Sequence, residues 1–319
     1  MGGEQSIVQE NESLEYKNLF NILNIIPDTP DYRDICYKLG KDEENIELKE
    51  EVDLRNKICK NNYLSKSFGK SIAINLFTLI TFDLQRKGEE MMIPSIEFIF
   101  LNSLKEEFHR ESVEEIRFQD CKISIRSSLK ALGSFGICEE KHFNSTMNNR
   151  MPSKVCYDYG KNFNFKYVRI GKDEEMIKKL LSEDRLILIN LSLYTSFLKD
   201  VVKSEGKIIF PDEFDTILGM TSCIIVGYDK NKLILRFPFG ENWGKDGYGF
   251  IDYEYLEKLC NDLWIIEIFV DKRNKYGLNY NNRRNDFKQV ERMTMRLDTR
   301  NEIENKNNLK EQMFRNSAF

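Results

Sequence analysis

Residues 71–85 (SIAINLFTLITFDLQ) carry apolar side chains on almost every face. As a helix of about four turns such a run has no side to give to water, so the rest of the chain must enclose it. A second helix is predicted after Pro94, and a third over about residues 123–132, stopped by Gly133 and Gly136. The earlier run LFNILNII reads as a short helix ahead of Pro27. The pattern then changes: RLILINLSL, SCIIVGY and KLILRF are short apolar runs rich in β-branched residues, and GYGFIDY and LWIIEIFV follow. These are strand signals. Helices first and strands later predict an α+β fold around an antiparallel sheet.

Several stretches carry a more specific pattern. Residues 236–256 (RFPFGENWGKDGYGFIDYEYL) hold Trp243, Gly244, Gly247, Tyr248 and Gly249 in the spacing Trp-Gly-x-x-Gly-Tyr-Gly. Upstream lie GMTSCIIVGYD (219–229) and VDLRNKICKNNYLSKSFGKSIAINLF (52–77). IIPDTPDYRD (25–34), SSLKALGSFGICEE (127–140), and LYTSF followed by Gly206 and Pro211 complete the set. In this order and spacing they resemble the papain-like (C1 family) cysteine peptidases, above all in the pattern of bacterial and large-DNA-virus members. The resemblance covers roughly residues 25–270. It implies a two-lobe fold, with a helical lobe around a buried central helix, an antiparallel β-barrel-like lobe, and a groove between them.

Carried over residue by residue, the resemblance implies a site without its chemistry. Ser71 stands where the family has its nucleophilic Cys, Thr221 where it has the catalytic His, Phe237 where it has the orienting Asn, and Ser65 where it has the oxyanion-hole Gln. A cysteine peptidase needs a thiolate beside an imidazolium, a group to orient the base, and donors aimed at the developing oxyanion. A hydroxyl without a general base is a poor nucleophile, and such a base contributes about 10²–10⁴-fold. Thr221 and Phe237 supply none. The histidines, His109 and His142, lie in EEFHRES and EEKHFNS, away from the strand that should deliver the base. Cys223 shares a strand face with Thr221, but its family counterpart is a core residue. Ser71, at the start of a helix, reads more naturally as an N-cap than as a nucleophile. Phe237 and Phe239 are expected either to fill the former groove or to be ordinary core aromatics. If the groove persists, Gly69, Lys70, Ser71, Met220, Phe239 and Trp243 would line it for an extended peptide.

Length and charge bound the remainder. The 319 residues divide into a polar leader (1–50), the papain-like domain (51–270) and an Asn-rich tail (271–319) with 12 Lys/Arg against 7 Asp/Glu. A net charge of −4 and a pI near 5.6 argue against a general nucleic-acid binder. The seven cysteines show no C-x-x-C and no metal spacing with His, so free thiols in a reducing interior are expected, with no metal and no cofactor. No secretory leader is evident. The high Asn, Lys and Ile content suggests an AT-rich genome such as that of a large DNA virus or a protist. Met1-Gly2-Gly3-Glu4-Gln5-Ser6 fits the N-myristoylation pattern at Gly2, and one such chain gives weak, reversible membrane association. The expectation is an intracellular pseudopeptidase, in host cytoplasm or virion, that binds a protein or peptide partner. The alternative is an active cysteine- or serine-type peptidase with a rearranged site.

Overall fold

A computed structural model describes residues 23–37, 48–59, 70–109, 122–144, 151–230 and 232–271. The chain divides into two units at Val270/Asp271, and all but the first residue of the second unit lie outside the described residues. Ser65, Gly69, Gly2 and the basic tail lie outside them as well.

Helices α1 (Ser71–Arg86), α2 (Ile96–Phe108) and α3 (Ile125–Phe135) form one part of the first unit. Every residue of α1 from Ser71 to Leu84 is buried, as its all-round apolar pattern requires. The side chains of Ile72, Leu76, Ile80 and Leu84 are wholly enclosed, each stabilising by about 1.5–3 kcal/mol. Ser95 caps α2 by accepting the Phe98 N–H at 3.0 Å. Helix α3 begins later and runs on through Gly133, because Ile123 and Ser124 are drawn into a strand. That strand, β3 (Ile123–Ser124), pairs in parallel with β1 (Ile25–Ile26). The leader segment expected to be helical ahead of Pro27 is therefore extended where it is described. Tertiary pairing overrides its local propensity.

The second part is an antiparallel sheet of β4 (Phe163–Arg169), β5 (Ile187–Tyr194), β6 (Ile217–Asp229), β7 (Lys232–Arg236), β8 (Tyr248–Asp252) and β9 (Cys260–Val270). Its order is β4-β9-β5-β6-β7-β8, and β2 (Glu51–Asp53) joins the far end of β6. Gly227 makes that last pairing possible, since a Cβ there would lie 2.2 Å from the Val52 carbonyl oxygen. Short helices α4 (Lys154–Gly160), α5 (Glu174–Ser182), α6 (Asp200–Glu205) and α7 (Tyr253–Leu259) interrupt the β-rich half. Strand β4 and helix α5 were not read from the sequence. α5 nonetheless carries a clear start signal: Asp173 accepts the Met176 N–H at 2.7 Å, with Glu174 and Glu175 in the first turn.

Residues 23–36 of the leader pack into this fold. Asp28 is buried, and its carboxylate accepts the Trp264 indole N–H at 2.8 Å and the Arg126 backbone N–H at 2.9 Å. Its own N–H donates to Asp262 at 2.9 Å. Asp34 holds Arg126, and Arg169 bridges to Asp262 at 2.6 Å. Those bonds account for Asp28 and Asp34 of the PDTPDYRD stretch, which tie it to α3 and β9, while Asp31 pairs locally with Arg33.

Candidate active site

The expected site lies where α1 meets β6. The Asn75 amide donates to Ser222 Oγ at 2.8 Å, fixing the start of α1 against the middle of β6. Ser71 is 2% exposed and is the first residue of α1, not its N-cap. The cap position is Lys70, which makes no side-chain cap bond. The Ser71 hydroxyl instead donates to Asn24 Oδ1 at 2.6 Å. The N-cap expectation fails because the helix starts one residue earlier than expected, which puts Ser71 inside the first turn and leaves its hydroxyl to donate to the buried Asn24 amide oxygen. Leu23 lies over Gly219, where an added Cβ would stand 3.0 Å from its side chain. Leu23 and Asn24 are both buried, so the leader covers the segment just before Thr221 and the hydroxyl of Ser71 together.

Thr221 is fully buried and pairs with Leu191 of β5. Its hydroxyl reaches only the Ser222 carbonyl, at 3.5 Å. Cys223 is also fully buried, and burial holds its thiol well above the ordinary range. A thiol in that state is a core side chain, not a nucleophile. His109 ends α2 in a left-handed conformation at φ 50°, and His142 packs against Tyr159 at 5.7 Å between ring centroids. Neither is bonded to Ser71.

Phe237, 1% exposed, belongs to a knot of four rings. It lies 4.6 Å from Trp243 and 5.1 Å from Phe239, and Phe197 stacks on Trp243 at 5.3 Å. The Trp-Gly-x-x-Gly-Tyr-Gly turn builds the knot. At Gly244 (φ 60°) a Cβ would lie 2.4 Å from the Tyr248 carbonyl oxygen, which is why the turn needs glycine there. Phe197 was the ring that sequence reasoning missed, although its LYTSF run had been singled out.

The described groove candidates are all engaged within the chain. Lys70 pairs with Glu97, its ammonium 5.6 Å from the Phe100 ring centroid. Met220 sulfur lies 3.8 Å from the Asn261 amide, and Phe239 and Trp243 stand in the aromatic knot. Two cavities of the surface, one beside Tyr37 and Arg185 and one beside Lys207 and Lys245, contain none of these residues. Among the described residues no group of three or more His, Cys, Asp or Glu side chains is placed to hold a metal.

The order of elements, a buried helix packed on the strand that carries Thr221 and an antiparallel sheet closed by a Trp-Gly turn, is that of the papain-like cysteine peptidases. Comparison with solved structures agrees. The fold matches xylellain, a cysteine protease of Xylella fastidiosa, at a TM-score of 0.65 and 26% identity, covering 77% of this chain and 96% of that one. A digestive procathepsin L of Tenebrio molitor matches at a TM-score of 0.57 and 12% identity, covering 79% of each chain. Among curated proteins, a peptidase C1-like protein of Acanthamoeba polyphaga mimivirus, itself uncharacterised, is 26% identical over 204 residues. That alignment spans 59% of this chain and 63% of the viral protein. No protein-family model matches the chain.

Proposed function

We propose that this protein is a papain-like pseudopeptidase, a peptidase scaffold kept for binding or for structure. The observation that carries this reading is the 2.6 Å hydrogen bond from Ser71 to Asn24. The one hydroxyl at the nucleophile position is committed to the leader, and Thr221 and Phe237 offer no base to recruit it. The packing of Leu23 on Gly219 and the aromatic knot support a partner bound outside the former groove. The similarity to a protein of a large DNA virus supports a viral setting. In that setting the working model is an intracellular component of host cytoplasm or virion, with myristoylation at Gly2 as a weak tether. The test is turnover of a diverse quenched-fluorescent peptide library under reducing conditions, for the parent chain, Ser71→Ala and Cys223→Ala. All three are expected to be silent. Turnover that either substitution abolishes sinks the proposal and makes the protein a peptidase with a rearranged site.

A further inference from the structure

Two surface features of unlike chemistry stand on this chain. The first is a cavity of about 430 Å³ lined by Lys207, Lys232, Lys245, Phe250 and Glu205. Its backbone is fixed. Ile208 N–H donates to the Phe250 carbonyl at 3.0 Å, Phe250 N–H to Gly206 at 2.7 Å, and Lys245 N–H to Tyr248 at 3.0 Å. None of the three ammonium groups is ion-paired among the described residues. With a single carboxylate among them, they give the cavity an excess of positive charge around an aromatic wall.

The second feature is the turn at residues 212–216. Phe214 is 83% exposed and Ile217 is 57% exposed, and Asp212, Glu213 and Asp215 flank the ring. Isolated apolar residues on a surface are ordinary, but this one is held rigidly. Phe214 N–H donates to Asp212 Oδ1 at 2.9 Å, and Asp212 N–H to Asp215 Oδ2 at 3.0 Å. The Thr195 hydroxyl donates to Asp215 Oδ1 at 2.7 Å, and Thr216 N–H to Thr195 Oγ1 at 3.1 Å. A ring presented on backbone that is already ordered loses little entropy on docking, which is what an interface anchor requires. The bonds from the Asp212 N–H and the Thr195 hydroxyl also hold the Asp215 carboxyl below its usual range, so it stays charged.

We propose that the protein self-associates, the Phe214 turn of one copy docking in the Lys207–Lys232–Lys245 cavity of another. The occupant is a second copy because one chain carries both halves of a complementary pair: an aromatic ring among carboxylates, and an aromatic-walled cavity among ammonium groups. The turn does not fill the cavity of its own chain, as the exposure of Phe214 records. Docking sets the ring on Phe250 while the carboxylates meet the lysines. Such a contact between unlike patches is either reciprocated in a closed dimer or repeated head to tail.

Sedimentation velocity of the full chain, across protein concentration and salt, tests this. The expected result is association that weakens with salt. Phe214→Ala, Glu213→Lys and Lys245→Glu should each weaken it by about tenfold or more, near 1.4 kcal/mol. The double variant E213K/K245E should regain the parent affinity, since the swapped charges again face each other. These are exposed side chains, and circular dichroism melting should show parent-like folding for each. A chain that stays monomeric, an association that F214A leaves unchanged, or a double variant no stronger than its singles overturns the proposal. None of these outcomes bears on peptide turnover, so this inference and the pseudopeptidase reading fail separately.

Discussion

At the scale of single residues, two buried polar groups tie residues 23–34 to the rest of the first unit. Ser71→Ala removes the 2.6 Å hydrogen bond to the buried Asn24 amide oxygen. A buried hydrogen bond contributes about 0.5–1.5 kcal/mol net, so urea unfolding should show a loss of that size. Asp28 is the second. Burial, and then the neighbouring Asp262 carboxylate, push its pKa up to about 6. Facing it are the Arg126 backbone N–H and guanidinium and the Trp264 indole. Between the ordinary carboxylate range and pH 6 the folded chain holds a proton at Asp28 that the unfolded chain has released. Its contribution to stability is therefore complete below about pH 4 and is lost as pH rises through about 6. The unfolding midpoint measured across pH should carry this downward slope, and Asp28→Asn should flatten it.

At the scale of elements, the aromatic knot and the α1–β6 contact hold the candidate site together. Truncating Phe237 to Ala opens a cavity among Phe197, Phe239 and Trp243. Loss of a buried Phe costs about 3–5 kcal/mol, and differential scanning calorimetry should register that loss. Phe237→Asn, which restores the family residue, should cost at least as much, because it also buries an amide without a defined partner. Across the α1–β6 contact, Asn75→Ala and Ser222→Ala should be strongly non-additive. A double-mutant cycle should return about 0.5–1.5 kcal/mol for their hydrogen bond. Purely additive losses would mean that the bond at 2.8 Å contributes nothing net.

At the scale of the whole molecule, the stretch from residue 23 to residue 34 is a structural member of the first unit. It supplies Leu23 and Ile25 to the core, β1 to the β1–β3 pair, and Asp28 and Asp34 to the charged cluster with Arg126, Arg169 and Asp262. Deleting residues 1–34 should therefore abolish cooperative unfolding, as read by near-UV circular dichroism during thermal melting. A truncated chain that melts like the parent would show that residues 23–34 only rest on the surface. No described helix is long and apolar enough to cross a membrane.

The amino-acid sequence alone determined the class of fold, the buried helix and the run of strands. Those follow from local periodicity: apolar side chains on all faces from 71 to 85, and β-branched runs from 186 onward. It also supplied the expectation of which residues stand at the chemical positions, because spacing within the Trp243 turn and the Gly227–Tyr228 strand is local. Only the tertiary structure decided what fills the site. Asn24 sits in a run whose local signal is helical, and nothing near it in sequence points to Ser71, 47 residues away. At Ser71 the N-cap reading turned on where the helix starts, one residue earlier than expected, and the partner of its hydroxyl came from a distant segment. Hydrogen-bond partners and burial depend on which segments the chain folding brings together, and that information is spread along the chain rather than carried in any one stretch of it.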